Sequence, residues 1–263
     1  MTPLDTADIA RMSTELDEHG YVVIRQAVSP DRLAGLHSAL VAAYDAAPRF
    51  KGGGSYTGHL NCYPGRGARF VLDDLRAKGV VDLIGSVRPD VVDKPRATLN
   101  MNLPGSVAQH YHMDGLYTEN FLVCNVAVVD TTIANGAIDV LPGTNRRYYK
   151  FWQYAVKREF KRTTRLEMQQ GDALVRLSTL WHRGMPNTTK VPRPLMSITF
   201  GESSAPDGDP FEEHNGDIVF YANWYNTDRA GQLRERLYVK APITYSAYRF
   251  VKSLHGDHGY SKY

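Results

Sequence analysis

His112-Met113-Asp114 sets an imidazole and a carboxylate two residues apart. In an extended backbone residues i and i+2 project from one face, so both side chains aim at a common point. A third donor must come from elsewhere in a sheet. His182, in Leu180-Trp181-His182-Arg183-Gly184, follows a segment that starts after the turn Gly171-Asp172. Two histidines and one carboxylate on one face of an iron leave three adjacent positions free, the facial arrangement of non-haem Fe(II) oxygenases. Arg193, eleven residues after His182, adds a guanidinium that can clamp a carboxylate through two parallel hydrogen bonds. An iron chelated by the 2-oxo acid end of 2-oxoglutarate needs such a clamp for the far carboxylate. The competing reading of Arg193, between Pro192 and Pro194, is an exposed turn residue.

The tripeptide alone is weak, because composition yields roughly 0.65 copies of His-x-Asp by chance. A second copy, His255-Gly256-Asp257, lies in a polar C-terminal tail without a sheet pattern or a later histidine partner, and is read as that accident. The first copy gains weight from the elements around it. Strands are expected at 97–103, 121–130, 137–141, 173–177 and 195–200, separated by Pro104-Gly105, Asn135-Gly136, Pro142-Gly143 and Gly171-Asp172. Short strands bounded by turns over about a hundred residues point to an antiparallel sandwich or jelly roll.

Upstream, Ile9, Met12 and Leu16 recur at helical spacing before a stop at Gly20, and a strand follows at 21–24. Ser29-Pro30-Asp31 combines a cap with a first-turn proline and opens a helix carrying Leu33, Leu36, Leu40 and Tyr44. Residues 48–69 are rich in Gly and Pro around Gly52-Gly53-Gly54; lacking a Gly-Lys-Ser/Thr ending, they read as a flexible loop or lid, not a phosphate loop. A further helix is expected over 75–84.

The chain has 263 residues, with 31 Lys+Arg against 28 Asp+Glu and a net charge of +3, too small and dispersed to indicate nucleic acid. We expect one oxygenase-sized domain over 1–263: support from about 1–95, a core over about 96–203, and a capping segment over about 204–263. Cys62 and Cys124 are too few to staple it, which fits a reducing compartment. The acidic start has no signal-peptide pattern, and no apolar run approaches the ~20 residues of a membrane span. A cytoplasmic location is expected.

The ordered set of motifs resembles the phytanoyl-CoA dioxygenase family of Fe(II)- and 2-oxoglutarate-dependent oxygenases over about residues 18–201. Gly20-Tyr21-Val22-Val23-Ile24 with Ser29-Pro30-Asp31-Arg32-Leu33 looks like its opening strand and helix; Pro104-Gly105 and His112-Met113-Asp114 follow. Residues 135–146 are similar to its Asn-Gly, Pro-Gly-Ser-His-Arg segment, with Thr144 and Asn145 replacing Ser and His; Gly171-Asp172, His182, Asn187 and Arg193 complete the set. The resemblance implies a mainly β fold, a double-stranded β-helix (jelly-roll, cupin-like) core with flanking N-terminal α-helices. It implies His112, Asp114 and His182 as the iron ligands and Arg193 as the 2-oxoglutarate anchor. The small hydroxyl residue that the family often has two positions after that Arg is replaced by Leu195, so Ser197 and Asn125 become candidates for the remaining co-substrate contact. Asp114 stands where the superfamily's halogenases have a small residue that admits chloride, which argues against halogenation. Hydroxylation of a small molecule, with O2 and 2-oxoglutarate consumed and succinate and CO2 released, is the implied reaction; desaturation, epimerisation and cyclisation share its start.

The segment 146–165 holds eight basic residues, one Glu and six aromatics. One reading is recognition of an anionic substrate, such as a phosphorylated, carboxylated or carrier-linked biosynthetic intermediate, or contact with a membrane surface. The other is a solvated amphipathic helix whose aromatics pack on the barrel. Tyr111, Tyr117 and Trp181 adjoin the metal motif and are candidates for either pocket or core, as is the aromatic run 220–225. Two other functions fit a jelly roll: a metal-dependent isomerase or hydrolase without 2-oxoglutarate, and a non-catalytic binding module. Arg193 and the ordered motifs speak against both.

Overall fold

The computed structural model describes residues 2–47, 57–148, 150–203, 208–221 and 228–255. Ten strands are present among them: β1 Tyr21–Ile24, β2 His59–Tyr63, β3 Pro95–Asn102, β4 Leu122–Ala127, β5 Ile138–Val140, β6 Thr164–Leu166, β7 Ala173–Leu177, β8 His182–Arg183, β9 Arg193–Phe200 and β10 Val219–Tyr221. Seven form an antiparallel sheet in the order β1-β7-β4-β9-β3-β2-β10, and three form a small sheet, β6-β5-β8. Ala127, Leu174 and Leu195 of the large sheet pack against Ile138, Val140 and Leu166 of the small one, closing a distorted jelly roll, the double-stranded β-helix.

The helices are α1 Thr6–His19, α2 Pro30–Ala46, α3 Arg69–Lys78, α4 Val80–Val87, α5 Phe151–Val156, α6 Arg229–Lys240 and α7 Pro242–His255. Leu16, Leu33, Leu40, Leu75 and Ile84, from the first four, join Val22, Leu99, Cys124, Val175, Ile198 and Phe200 from the large sheet in the main core. Alternate residues of β9 therefore divide: Met196, Ile198 and Phe200 face the helices, while Arg193 and Ser197 belong to the opposite, inner face.

The expected strands over 21–24 and 173–177 match β1 and β7, and the others differ from the observed ones by up to three residues at their ends. Three local expectations change. The helix expected over 75–84 is two, because Gly79 adopts φ +89°, ending α3 and turning the chain into α4. Ser29 makes no side-chain cap bond; its N–H instead donates to the buried Asp74 carboxylate at 3.0 Å. Residues 59–63, inside the expected loop, form β2, whose Leu60 and Cys62 are buried; Gly52-Gly53-Gly54 lies outside the described residues. The basic segment is no single helix. It runs through a 3-10 turn at Thr144–Arg146, α5, a second turn at Glu159–Lys161 and β6. No described helix is long and apolar enough to cross a membrane.

Phe200 is fully buried on the helix-facing side of β9. Phe200→Ala should lower the unfolding free energy by about 3–5 kcal/mol in equilibrium urea denaturation. Ile133→Ala, at a side chain 60% exposed, should stay within about 0.5 kcal/mol of the parent.

Candidate metal centre

His112 and His182 face each other across an antiparallel bridge, with His112 N–H donating to the His182 carbonyl at 3.0 Å and His182 N–H returning a bond at 2.8 Å. Asp114 is fixed two residues further on, where its N–H donates to Ser178 O at 2.9 Å. Each imidazole is oriented by its own backbone. Nδ1 of His112 bonds His110 O at 2.8 Å, and Nδ1 of His182 bonds Leu180 O at 3.0 Å. A carbonyl can only accept, so Nδ1 carries the proton in both rings and Nε2 keeps a free lone pair.

Those two Nε2 atoms lie 3.7 and 3.6 Å from Asp114 Oδ1. One donor atom from each of the three residues falls within 4.8 Å of the others. Donors bound at roughly 2.0–2.2 Å to one ion lie at most about 4.4 Å apart, and both imidazole–carboxylate pairs meet that limit. Burial lowers the pKa of His112, and burial with the nearby Arg176 pushes His182 down to about 3. Burial alone would raise the Asp114 carboxyl, but Arg176 and the two imidazoles outweigh it and hold it well below the usual carboxylate range. Two neutral imidazoles and a carboxylate are the protonation states a divalent metal requires.

The fourth member of this cluster, Arg176, escaped sequence reasoning. Its Nη2 donates to Asp114 Oδ2 at 2.6 Å and its Nε to Asn125 Oδ1 at 3.0 Å; Asn125 Nδ2 in turn donates to Ser197 Oγ at 2.7 Å. Ser197 and Asn125 are thus brought to Asp114 through Arg176, and neither hydrogen-bonds Arg193. The signal was present: Arg176 is the one charged residue of the buried strand Ala173-Leu174-Val175-Arg176-Leu177.

Arg193 is 2% exposed. Its Nη2 donates to Gly136 O at 3.0 Å and its Nε approaches Asn135 O at 3.5 Å, while Nη1 is buried with no hydrogen-bond partner. Burial lowers its pKa to about 10. Among the described residues no carboxylate pairs with it, so an orphaned cationic donor awaits an acceptor, as an incoming carboxylate would supply. Gly136, at φ +90°, allows this arrangement, because a Cβ there would overlap the Asn102 amide and the Met185 carbonyl. His59, Asn102 and Arg193 form one row across β2, β3 and β9. His59 Nε2 bonds Val107 O at 2.9 Å, and burial brings its pKa down to about 4.

Tyr111 and Trp181 are buried together with Leu141 and Tyr154 in a separate cluster. Tyr117, beyond Asp114, lies against Tyr148 at 5.6 Å between ring centroids. In the second His-x-Asp copy, His255 ends α7, and Gly256 and Asp257 lie outside the described residues, as do residues 222–225 of the aromatic run.

Fold and site together define a jelly-roll protein with two histidines and one carboxylate that could hold a metal ion. The profile of the family described as Phytanoyl-CoA dioxygenase (PhyH) matches residues 16–195. The chain belongs to the phytanoyl-CoA dioxygenase family. A methylphosphonate hydroxylase of Gimesia maris (strain ATCC 29201 / DSM 8797 / 534-30) is 27% identical over 146 residues, 52% of this chain and 55% of the relative. The chain therefore spans only about half the length of that relative. An iron/alpha-ketoglutarate-dependent dioxygenase of Aspergillus calidoustus, ausU, is 26% identical over 205 residues, 70% of this chain and 67% of that protein. Among solved structures, the epimerase SnoN in complex with Fe3+, alpha ketoglutarate and nogalamycin RO superposes with a TM-score of 0.59 at 17% identity, covering 79% of this chain and 90% of SnoN. The double-stranded β-helix is shared by a structure that holds iron and the 2-oxo acid.

The buried neutral histidines make stability pH-dependent. Unfolded imidazoles titrate near 6.5, whereas folded His59 and His182 do so at about 4 and about 3. Below about pH 6.5 the unfolded chain binds protons that the folded one refuses, so this stability is complete above that pH and is lost as pH falls. Burial also brings His110 down to about 3 and lowers His112. Each such group steepens the loss by at most about 1.4 kcal/mol per pH unit, so metal-free protein should lose several kcal/mol per unit between about pH 6 and 4.5. Urea titrations at stepped pH measure the slope, and His59→Gln should make it shallower by about one group's share.

Proposed function

We infer that the protein is an Fe(II)- and 2-oxoglutarate-dependent oxygenase that hydroxylates a small molecule. The observation that carries this reading is the pairing of a His112/Asp114/His182 donor set with a buried, carboxylate-free Arg193 on one inner face. His112 Nε2, His182 Nε2 and Asp114 Oδ1 would hold the iron, and Arg193 would receive the far carboxylate of 2-oxoglutarate. Bound there, the iron with O2 and 2-oxoglutarate supplies an oxidant that removes hydrogen from the substrate, with release of succinate and CO2.

The chain's own contribution is positional. Arg176 occupies Asp114 Oδ2, so Oδ1 is the oxygen that the carboxylate would offer to an ion. Asn125 and Ser197 hold Arg176 in turn, and that supports a positioning role for them over direct contact with the co-substrate. Beside Arg193, a polar wall of Asn102, Asn100 and Asn61, the last two joined at 2.9 Å, suits a substrate bearing oxygen functions. Asp114 fills the place a halide would need.

A substrate with an anionic group is supported by the basic segment, whose Tyr148 lies against Tyr117 in the loop after Asp114. The relative named for methylphosphonate acts on such an anion, whereas SnoN, solved with nogalamycin RO, is an epimerase. Epimerisation, desaturation and cyclisation begin with the same hydrogen removal. We read the chain as one oxygenase domain, supported by the packing of α7 on α5 within the insertion, where Trp152 N–H donates to Ser253 Oγ at 3.0 Å. Cys62 and Cys124 are both free and buried, and burial pushes their thiols up to about 12, which agrees with a reducing, cytoplasmic setting.

Purified protein with Fe(II), ascorbate and 2-oxoglutarate should form succinate, and should bind 2-oxoglutarate under anaerobic conditions. Arg193→Met should weaken that binding by at least about thirtyfold, and Asp114→Ala should abolish turnover. Failure to bind 2-oxoglutarate, or full activity in Asp114→Ala, would refute the reading. Arg176→Met should reduce Fe(II) affinity by about 10–100-fold while the fold persists, measured by competition with a chelator.

A further inference from the structure

A cavity of about 630 Å³, lined by none of the three metal donors, lies between α5, the turn at Glu159–Lys161 and α7. Tyr111, Tyr154, Phe160, Phe250 and Val251 belong to its wall with the imidazole of His110, and Arg183 is its charged member. Tyr111 and Arg183 each adjoin a metal ligand in sequence, and successive residues of an extended chain point to opposite faces. His112 and His182 face inward, so the cavity is floored by the reverse side of the same two strand segments.

That floor is built around one carboxylate. Asp139 accepts from Tyr111 Oη at 2.6 Å and from Arg183 Nε and Nη2 at 3.1 and 3.0 Å, with Arg165 Nε at 3.9 Å. Arg249 donates to Tyr111 O at 2.8 Å and covers the Phe151 ring at 4.2 Å. Two guanidiniums, Arg183 and Arg165, thus face a single Asp; the neighbouring Glu159 is occupied by Arg162 at 3.3 Å. Nη1 of Arg183 makes no hydrogen bond among the described residues, and its side chain is 27% exposed. The apolar surface continues outward from the cavity. Val156, Phe160, Ile243 and Val251 are 63, 45, 75 and 57% exposed, an apolar area of the kind found around ligand-binding grooves.

We propose that this cavity is a second ligand site, and that its occupant is a small amphipathic organic anion: an aromatic or aliphatic body with one carboxylate or sulfonate directed at Arg183. The volume suits a drug-sized molecule, and an apolar wall with one convergent polar group is the usual make-up of such sites. Two cations against one carboxylate, with Arg183 facing the cavity, favour an anion over a neutral or cationic ligand. The site shares strands with the metal centre but none of its donor atoms, so it is filled independently of 2-oxoglutarate. Its ligand and the substrate of the oxygenase are separate molecules.

The probe is 8-anilinonaphthalene-1-sulfonate, titrated into the full chain and followed by fluorescence and calorimetry. One molecule should bind per chain, and saturating 2-oxoglutarate with Fe(II) under anaerobic conditions should not displace it. Ala155→Trp and Ala247→Trp, which fill the cavity from α5 and from α7, should each weaken probe binding by at least about tenfold. 2-Naphthoate should displace the probe at least about tenfold more effectively than the isosteric 2-naphthamide. The proposal is overturned if both tryptophan variants bind the probe as the parent does, if 2-oxoglutarate displaces it, or if acid and amide compete equally. It is also overturned if sedimentation shows a dimer that Ala247→Trp dissociates, because the apolar face would then be covered by a second copy.

Discussion

The reciprocal backbone bridge between His112 and His182 organises everything around it. Two N–H···O bonds lock the segments side by side, and each ring is then tied back to a carbonyl of its own strand, two residues earlier. Neither imidazole can rotate without breaking a bond that also fixes its tautomer. The two candidate imidazole donors are therefore set by main-chain geometry, and side-chain packing has only to bring the carboxylate of Asp114 to a place already defined. The same bridge sets what lies behind: once His112 and His182 face inward, Tyr111 and Arg183 must face outward. One pair of hydrogen bonds thus builds the inner site and the floor of the outer cavity together.

On the large sheet, alternation divides the labour in the same way. Leu99, Met101, Ile198 and Phe200 bury apolar area against the four N-terminal helices, which supplies most of the driving force for folding. Their neighbours on the same strands, Asn100, Asn102, Arg193 and Ser197, contribute little to that core and are free to be polar. A one-residue slip of β9 against β3 would exchange the two sets, placing a guanidinium among the helices. Register is accordingly under strong selection by burial alone, and the site inherits its precision from the core behind it.

This division explains what could be read from the residues in advance. Strand positions were legible because turn dipeptides and apolar runs mark them, and His112, Asp114, His182 and Arg193 because their chemistry is recognisable at any depth. Arg176 was hidden by its company: a strand fully buried on both faces reads as a continuous apolar run, and one Arg within it carries no period of its own. The break at Gly79 was missed because an apolar period can run through a glycine unbroken. β2 was obscured by the glycines before it, although Leu60 and Cys62 alternate with His59, Asn61 and Tyr63 in the period of a strand. The basic segment misled by composition; its length suggests a helix, but its aromatics are drawn to separate partners, Tyr148 to Tyr117 and Tyr154 to Trp181.

The buried arginines carry an energetic consequence. Arg176 and Arg193 each leave Nη1 buried without a partner, and Arg193 is compensated only by carbonyl dipoles. Removing such cations from water costs several kcal/mol even after relaxation, and that cost falls on the ligand-free fold. On the proposed reading it is offset when a carboxylate reaches Arg193, because the desolvation has already occurred and only the favourable contact remains to be made. The core behind β9 supplies the surplus that lets the ligand-free chain hold its site in this state. Polarity inside the barrel thus exchanges stability of the empty protein for affinity, and any ligand that binds only the folded chain returns part of it as RT ln(1 + [L]/Kd).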